Sequence, residues 1–200
     1  MSRLIVSPAA LVERYLNGLQ DLLASIEPAI LTSVVERIAQ ARDQGRTVYI
    51  AGNGGSAATA AHVANDFGKA TRRSGRRPIR AMCLSDNISW LTALANDEGY
   101  DRVFAGQLEN FAEAGDVLIV ISASGNSANL LRAVALAQSL RVFTIGVLGF
   151  DGGKLKDLVD EALWLPSPIG LYGPVESAHS VVLDIITTCL AEDRTPGNSE

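Results

Sequence analysis

Apolar side chains recur at helical spacing through residues 1–45. Leu11, Tyr15, Leu16, Leu19, Leu22 and Leu23 form one series, and Ile30, Val34, Val35, Ile38 and Ala39 form a second. Glu27-Pro28 punctuates between them. The period then changes. Thr47-Val48-Tyr49-Ile50-Ala51 is a short apolar run closed by glycines, and an Ala-rich helix is predicted from 57 to about 67. Further strands are predicted over 79–84, 117–121, 142–148 and 162–165. Helical patterns fall over 89–95, 101–111, 128–140, 154–159 and about 174–191. Strands that are apolar almost throughout, each followed by a helix, predict a parallel sheet covered on both faces. The economical fold class is α/β, a three-layer α/β/α sandwich with a mainly parallel five-stranded sheet and an N-terminal helical arm.

A single domain is expected over 1–200, with 1–45 as the arm, 46–191 as the sheet and its helices, and 192–200 as a frayed tail. The arm carries much apolar surface for an appendage, which predicts packing against another subunit.

Composition narrows the class. A hydrophobic content of 48%, a charged fraction of 20% and a mean hydropathy of +0.18 suit a folded domain rather than a disordered chain. No apolar run reaches the ~18 residues that span a bilayer, and the apolar stretch in residues 1–6 is too short for a signal-peptide core. Cys83 and Cys189 each sit in an apolar run and read as small buried thiols of a reducing compartment, so a cytoplasmic protein is expected. A net charge of −5 and a pI near 5.1 speak against a nucleic-acid partner. The exception is the basic stretch 69–80, with Lys69, Arg72, Arg73, Arg76, Arg77 and Arg80. It reads either as a solvated connecting loop or as a local field that attracts an anion.

Candidate chemistry lies in two strand-to-helix turns. The first is Gly52-Asn53-Gly54-Gly55-Ser56, where glycines let the backbone approach a ligand and Ser56 opens the next helix. The second is Ser122-Ala123-Ser124-Gly125-Asn126-Ser127, whose hydroxyls around a glycine at a helix start suit the oxygens of a phosphate monoester. In an open parallel sheet both fall at the carboxyl ends of strands, where ligands bind. Neither turn is a Walker loop or a dinucleotide fingerprint, so no nucleotide cofactor is expected. The pair predicts a phosphate-bearing ligand.

These turns, together with Ala95-Asn96-Asp97 and Asp151-Gly152-Gly153-Lys154, resemble the sugar isomerase (SIS) domain of phosphoheptose isomerases over nearly the whole chain. The resemblance implies a homotetramer with active sites between subunits, acting on sedoheptulose 7-phosphate. Carried over by position, Asn53, Gly54, Gly55, Asn96, Asp97, Ser122, Ala123, Ser124, Ser127 and Glu176 would line the substrate site, with Ser56 at the phosphate. The family's zinc site and proton-transfer pair map onto His62, Asp66, Glu176 and Asp184.

Here this sequence departs from its relatives. Asp66 stands for a Glu, Glu176 for a Gln, Asp184 for a His, and Ala123 for a Thr. His179 matches a His the family often carries outside the metal site. Asp66, Glu176 and Asp184 are the candidate catalytic residues, and with His62 they are also the candidate metal ligands. Three carboxylates and one imidazole form a harder set that suits Zn²⁺, Mn²⁺ or Fe²⁺. Without a cation or a shared proton the crowded charges would be costly. Asp184, in the otherwise apolar run Val181-Val182-Leu183-Asp184-Ile185-Ile186, is expected to need a partner.

Three readings follow from these residues. One is a metal-dependent isomerase. Another is a metal-free isomerase using Glu176 or Asp66 as base and His62 or His179 as acid. The third is a phosphosugar-binding protein without chemistry. Trp90 and Trp164 read as packing residues.

Overall fold

Five apolar runs form the five strands of one sheet: β1 (Thr47–Gly52), β2 (Arg80–Cys83), β3 (Val117–Ser122), β4 (Phe143–Leu148) and β5 (Glu161–Trp164). Their spatial order is β2-β1-β3-β4-β5, and every neighbouring pair is parallel. The computed structural model describes residues 7–72 and 76–192. The expectations for residues 1–6, Arg73 and the tail from 193 onward lie outside these described residues.

Continuous apolar strands follow from a sheet buried on both faces. Val48 and Ile50 of β1, with Val117, Ile119 and Ile121 of β3, join one core under α1 (Pro8–Ala24), α2 (Pro28–Asp43), α3 (Gly55–Lys69) and α8 (Tyr172–Glu192). The alternate residues Tyr49, Ala51, Leu118 and Val120 join the other core. That second layer is built by α4 (Ile88–Asp97), α5 (Ala105–Phe111), α6 (Ala128–Ser139) and α7 (Leu155–Leu158).

The two leading helices behave differently. The second is no appendage, because Val34, Ile38 and Ala41 of α2 are buried in the first core. The first packs along α8 and buries only Leu22, leaving Leu11, Val12, Tyr15 and Leu16 exposed.

The helix expected over 101–111 divides into a 3₁₀ turn (Tyr100–Arg102) and α5. Gly99, at a φ of 103°, turns the chain sharply before it. Arg102 is then pinned by Glu98 and by a two-pronged pair with Glu109.

Two sequence expectations need correction. Cys189 is exposed on α8, and only Cys83 is a buried thiol. Asp184 is likewise exposed, because the apolar run around it faces inward through Val182, Leu183 and Ile186 while Asp184 takes the outer side of the helix.

Two arginines of the basic stretch are anchored to the chain. Arg80 donates to the Gly45 carbonyl at 3.3 Å, and Arg76 stands 3.9 Å from Asp43. Trp90 packs against the second core, whereas Trp164 is partly exposed. Trp90 meets Phe111 edge to face at 5.2 Å, and the Trp164 indole donates to the Phe150 carbonyl under the Lys156 ammonium.

Candidate active site

The chain leaves β1 toward β2 on one side and β3 toward β4 on the other, so the strand order reverses between β1 and β3. Such a switch point opens a crevice at the carboxyl ends of the strands. The two turns singled out by their sequence flank it directly, one after Gly52 and the other after Ser122.

The first turn brings Gly54 to the N-cap of α3 at φ 56°, ψ −121°, a conformation closed to most side chains. Within this turn the Ser56 N–H bonds to the Asn53 carbonyl at 3.0 Å and the Ala57 N–H to the Gly54 carbonyl at 3.0 Å, and Ser56 is buried.

In the second turn, the Ser122 hydroxyl accepts from the Gly125 N–H at 3.0 Å, and the Ser124 hydroxyl from the Asn126 N–H at 3.4 Å. Ser127 takes the N-cap of α6 without a side-chain cap hydrogen bond. Its hydroxyl is thus left for a ligand at the positive end of the helix. Ala123, where a hydroxyl is missing, is buried.

The Asp151-Gly152-Gly153-Lys154 segment has a structural task. Leu155 N–H bonds to the Gly125 carbonyl at 3.0 Å, and Lys154 N–H to the Asn126 side chain at 3.2 Å. Gly125 sits at φ 62°, and a methyl group there would collide with the Gly152 carbonyl oxygen. The segment buttresses the serine turn from behind.

Helices α3 and α8 set the carboxylates. They touch where the Glu176 carboxylate comes within 3.2 Å of the place a Gly55 side chain would occupy, and again where Thr59 and Ser180 approach at 3.5 Å. Farther along, His62, Asp66 and Asp184 gather, each offering a ligand atom within 4.8 Å of the others. His62 Nε2 stands 3.1 Å from Asp66 Oδ2, one helical turn away.

Glu176 is not part of that group. It lies eight residues before Asp184 on one helix, about 12 Å of rise. Within one chain the four candidate ligands therefore divide into three together and one beside the first turn. For the same reason Asp66 and Glu176 of one chain do not face each other.

Asn96 and Asp97 close α4, both exposed, with the Asn96 amide donating to Asp97 at 2.7 Å. The link from this region to the first turn is Tyr100, whose hydroxyl donates to Asn53 Oδ1 at 3.0 Å. Asn53 also exchanges two hydrogen bonds with Asn129, at 3.0 and 2.8 Å. Neither Tyr100 nor Asn129 was singled out from sequence. The available signal was an amide at the second position of a helix that follows a phosphate-type turn.

His179 is 1% exposed, and neither ring nitrogen has a hydrogen-bond partner among the described residues. Burial pushes its pKa down to about 4. A ring held neutral in the core supplies no proton to the crevice, and His179 is removed from the candidate acids.

Two anion-seeking turns across the switch point of a parallel sheet, with a carboxylate beside one of them, define a phosphosugar-handling α/β protein. Residues 14–149 match the family model described as the SIS domain. The chain is 39% identical to a phosphoheptose isomerase of Pelobacter propionicus, over 85% of this chain and 88% of that protein. It is also 39% identical to one from Helicobacter pylori, over 90% of this chain and 88% of that protein. The solved phosphoheptose isomerase of Neisseria gonorrhoeae superposes with a TM-score of 0.82 at 31% identity, covering 91% of this chain and 95% of that one. The chain belongs to the SIS domain family and, within it, to the phosphoheptose isomerases.

Proposed function

We propose that this chain is an aldose–ketose isomerase that interconverts sedoheptulose 7-phosphate and the corresponding aldoheptose 7-phosphate through an enediol. The observation that carries the reading is the Glu176 carboxylate lying against the first turn at the switch point, across from the serine turn. The phosphate rests on the Ser122, Ser124 and Ser127 hydroxyls and the N-terminus of α6, with Ser56 assisting from the first turn. Gly54 and Gly55 admit the sugar close to the backbone, and Asn96 and Asp97 bound the far side.

Glu176 takes the proton from C1 of the ketose. The electron pair of that C–H bond becomes the C1–C2 double bond of the enediol while O2 gains a proton. Returning a proton to C2 and releasing the one on O1 leaves the aldehyde.

Asp66 is the second proton-transfer group, and it comes from a neighbouring copy. Two features support this. Asp66 and Glu176 are separated within one chain, and α1 exposes Leu11, Val12, Tyr15 and Leu16 beside an α8 that exposes Ile185. We read the assembly as a homotetramer with sites shared between copies, in the cytoplasm. No helix among the described residues is long and apolar enough to cross a membrane.

His62, Asp66 and Asp184 fit a divalent cation by chemistry and spacing, being one imidazole and two carboxylates gathered within 4.8 Å. When bound, the ion would act as a Lewis acid that polarises the carbonyl. Loss of bound Mn²⁺ or Zn²⁺ in Asp184→Asn, read by elemental analysis and metal-dependent melting, is the expected result. Equal metal content in variant and wild type would remove these ligands.

The test of the reaction is incubation with sedoheptulose 7-phosphate in D₂O. Deuterium is expected at the carbon next to the carbonyl, and Glu176→Gln is expected to abolish it. A protein that is stabilised by the sugar phosphate yet exchanges no carbon-bound proton would be a binding protein and not an isomerase.

A further inference from the structure

Asn53 stands one residue past the last β1–β3 register pair, Gly52 with Ile121. Beyond that point the sheet no longer ties the first turn to the second. A side-chain pair takes over. Asn53 Nδ2 donates to Asn129 Oδ1 at 3.0 Å, and Asn129 Nδ2 donates back to Asn53 Oδ1 at 2.8 Å, so the two amides close a ring of hydrogen bonds.

The orientation of this ring is fixed. Leu130 N–H, which can only donate, bonds to Asn129 Oδ1 at 2.9 Å, and this forces Asn129 to present its NH₂ to Asn53 Oδ1. Asn129 is 2% exposed and is the second residue of α6, directly behind the serine turn. Tyr100, at the exposed rim, donates its hydroxyl to the remaining lone pair of Asn53 Oδ1. The Asn53 carbonyl is thereby saturated, and one N–H of its amide is left over.

We propose that Asn129 is a positioning residue which, by gripping Asn53, sets the separation of the two turns, with Tyr100 as the outer member of the clamp. A sugar phosphate whose phosphate lies on the serine turn must bring its carbonyl end to Glu176 beside the first turn, so turn separation sets the reaction distance. Misplacement by about 1 Å can cost about a hundredfold in rate. The two amides carry no charge, so the Asn53–Asn129 pair works by geometry. The role in turnover rests on the isomerase reading above, whereas the clamp itself does not.

The test uses the full chain with Asn129→Leu, Asn53→Leu, the double variant and Tyr100→Phe. Asn129→Leu is expected to lower kcat for sedoheptulose 7-phosphate by about 10- to 100-fold, while the Ki of inorganic phosphate, which rests mainly on the serine turn, moves by less than about threefold. The double variant is expected to be no worse than the poorer single, because the pair acts as one unit. Amide hydrogen exchange over 53–56 is expected to rise at least about tenfold in Asn129→Leu, whether or not the sugar is turned over.

Unchanged exchange over 53–56 overturns the clamp. So does a double variant whose losses multiply, or a melting-temperature loss with wild-type kcat. Raised exchange in a protein that never turns over the sugar leaves the clamp standing and refutes the isomerase reading instead. If Asn129→Leu does not fold, Tyr100→Phe, altered only at the rim, decides. About a two- to fivefold loss of kcat with raised exchange at 53–56 supports the clamp, and neither effect overturns it.

Discussion

Replacing His179 by leucine should flatten the acid side of the stability profile. In the folded chain the ring titrates at about 4, against 6.5 in the open chain, because burial disfavours the imidazolium. Between those two values the unfolded chain binds a proton that the folded chain refuses, so stability rises with pH there. Above about pH 7 the ring is neutral in both states and contributes nothing. As pH falls through 6.5 the penalty grows, and it levels off below about 4. The gap of about 2.5 on the pH scale, at about 1.4 kcal/mol each, gives a full penalty of roughly 3 kcal/mol. At about pH 5 roughly 2 kcal/mol of it should already be present.

The assay is urea unfolding of wild type and His179→Leu, at one protein concentration, at about pH 8 and about pH 5. The wild type should lose about 2 kcal/mol more than the variant between the two conditions. His62 is present in both proteins and cancels. Identical losses would refute the reasoning, and would mean that the ring finds a proton-accepting partner or water on acidification.

The other predictions concern the serine turn and the thiols. Gly125→Ala must place a methyl at φ 62° against the Gly152 carbonyl. The backbone alone costs about 1–2 kcal/mol, and sugar-phosphate affinity by calorimetry should fall by at least about tenfold, a result contradicted by wild-type binding. In a Cys189→Ser background, Cys83 should resist a thiol reagent at about pH 8. Burial raises its pKa to about 11 and leaves roughly one thiol in a thousand ionised. Labelling at the rate of a free thiol would show that the β2 edge opens.

Much of the architecture was legible along the chain, for a local reason. A doubly covered parallel strand must be apolar at nearly every position, so β1, β3 and β4 announced themselves, and the glycines and serines after β1 and β3 marked the turns. Where the reading failed, the deciding contact lay far off in sequence. Asp184 looked buried because its neighbours are apolar, yet one side of α8 faces outward there. Asn53 was read as a substrate ligand, and what the sequence did not show is that its amide also pairs with a residue 76 positions later.

The sequence by itself determined the strands, the two phosphate turns and the types of acid and base available. Hydrophobic period and turn chemistry act over a few residues and need no knowledge of what lies opposite. Only the tertiary structure decided that the turns meet across a switch point, that Asp151–Lys154 buttresses one of them, and that Glu176 stands apart from the His62 group. Strand order and helix register arise from which apolar faces bury together, and that is a property of the folded whole.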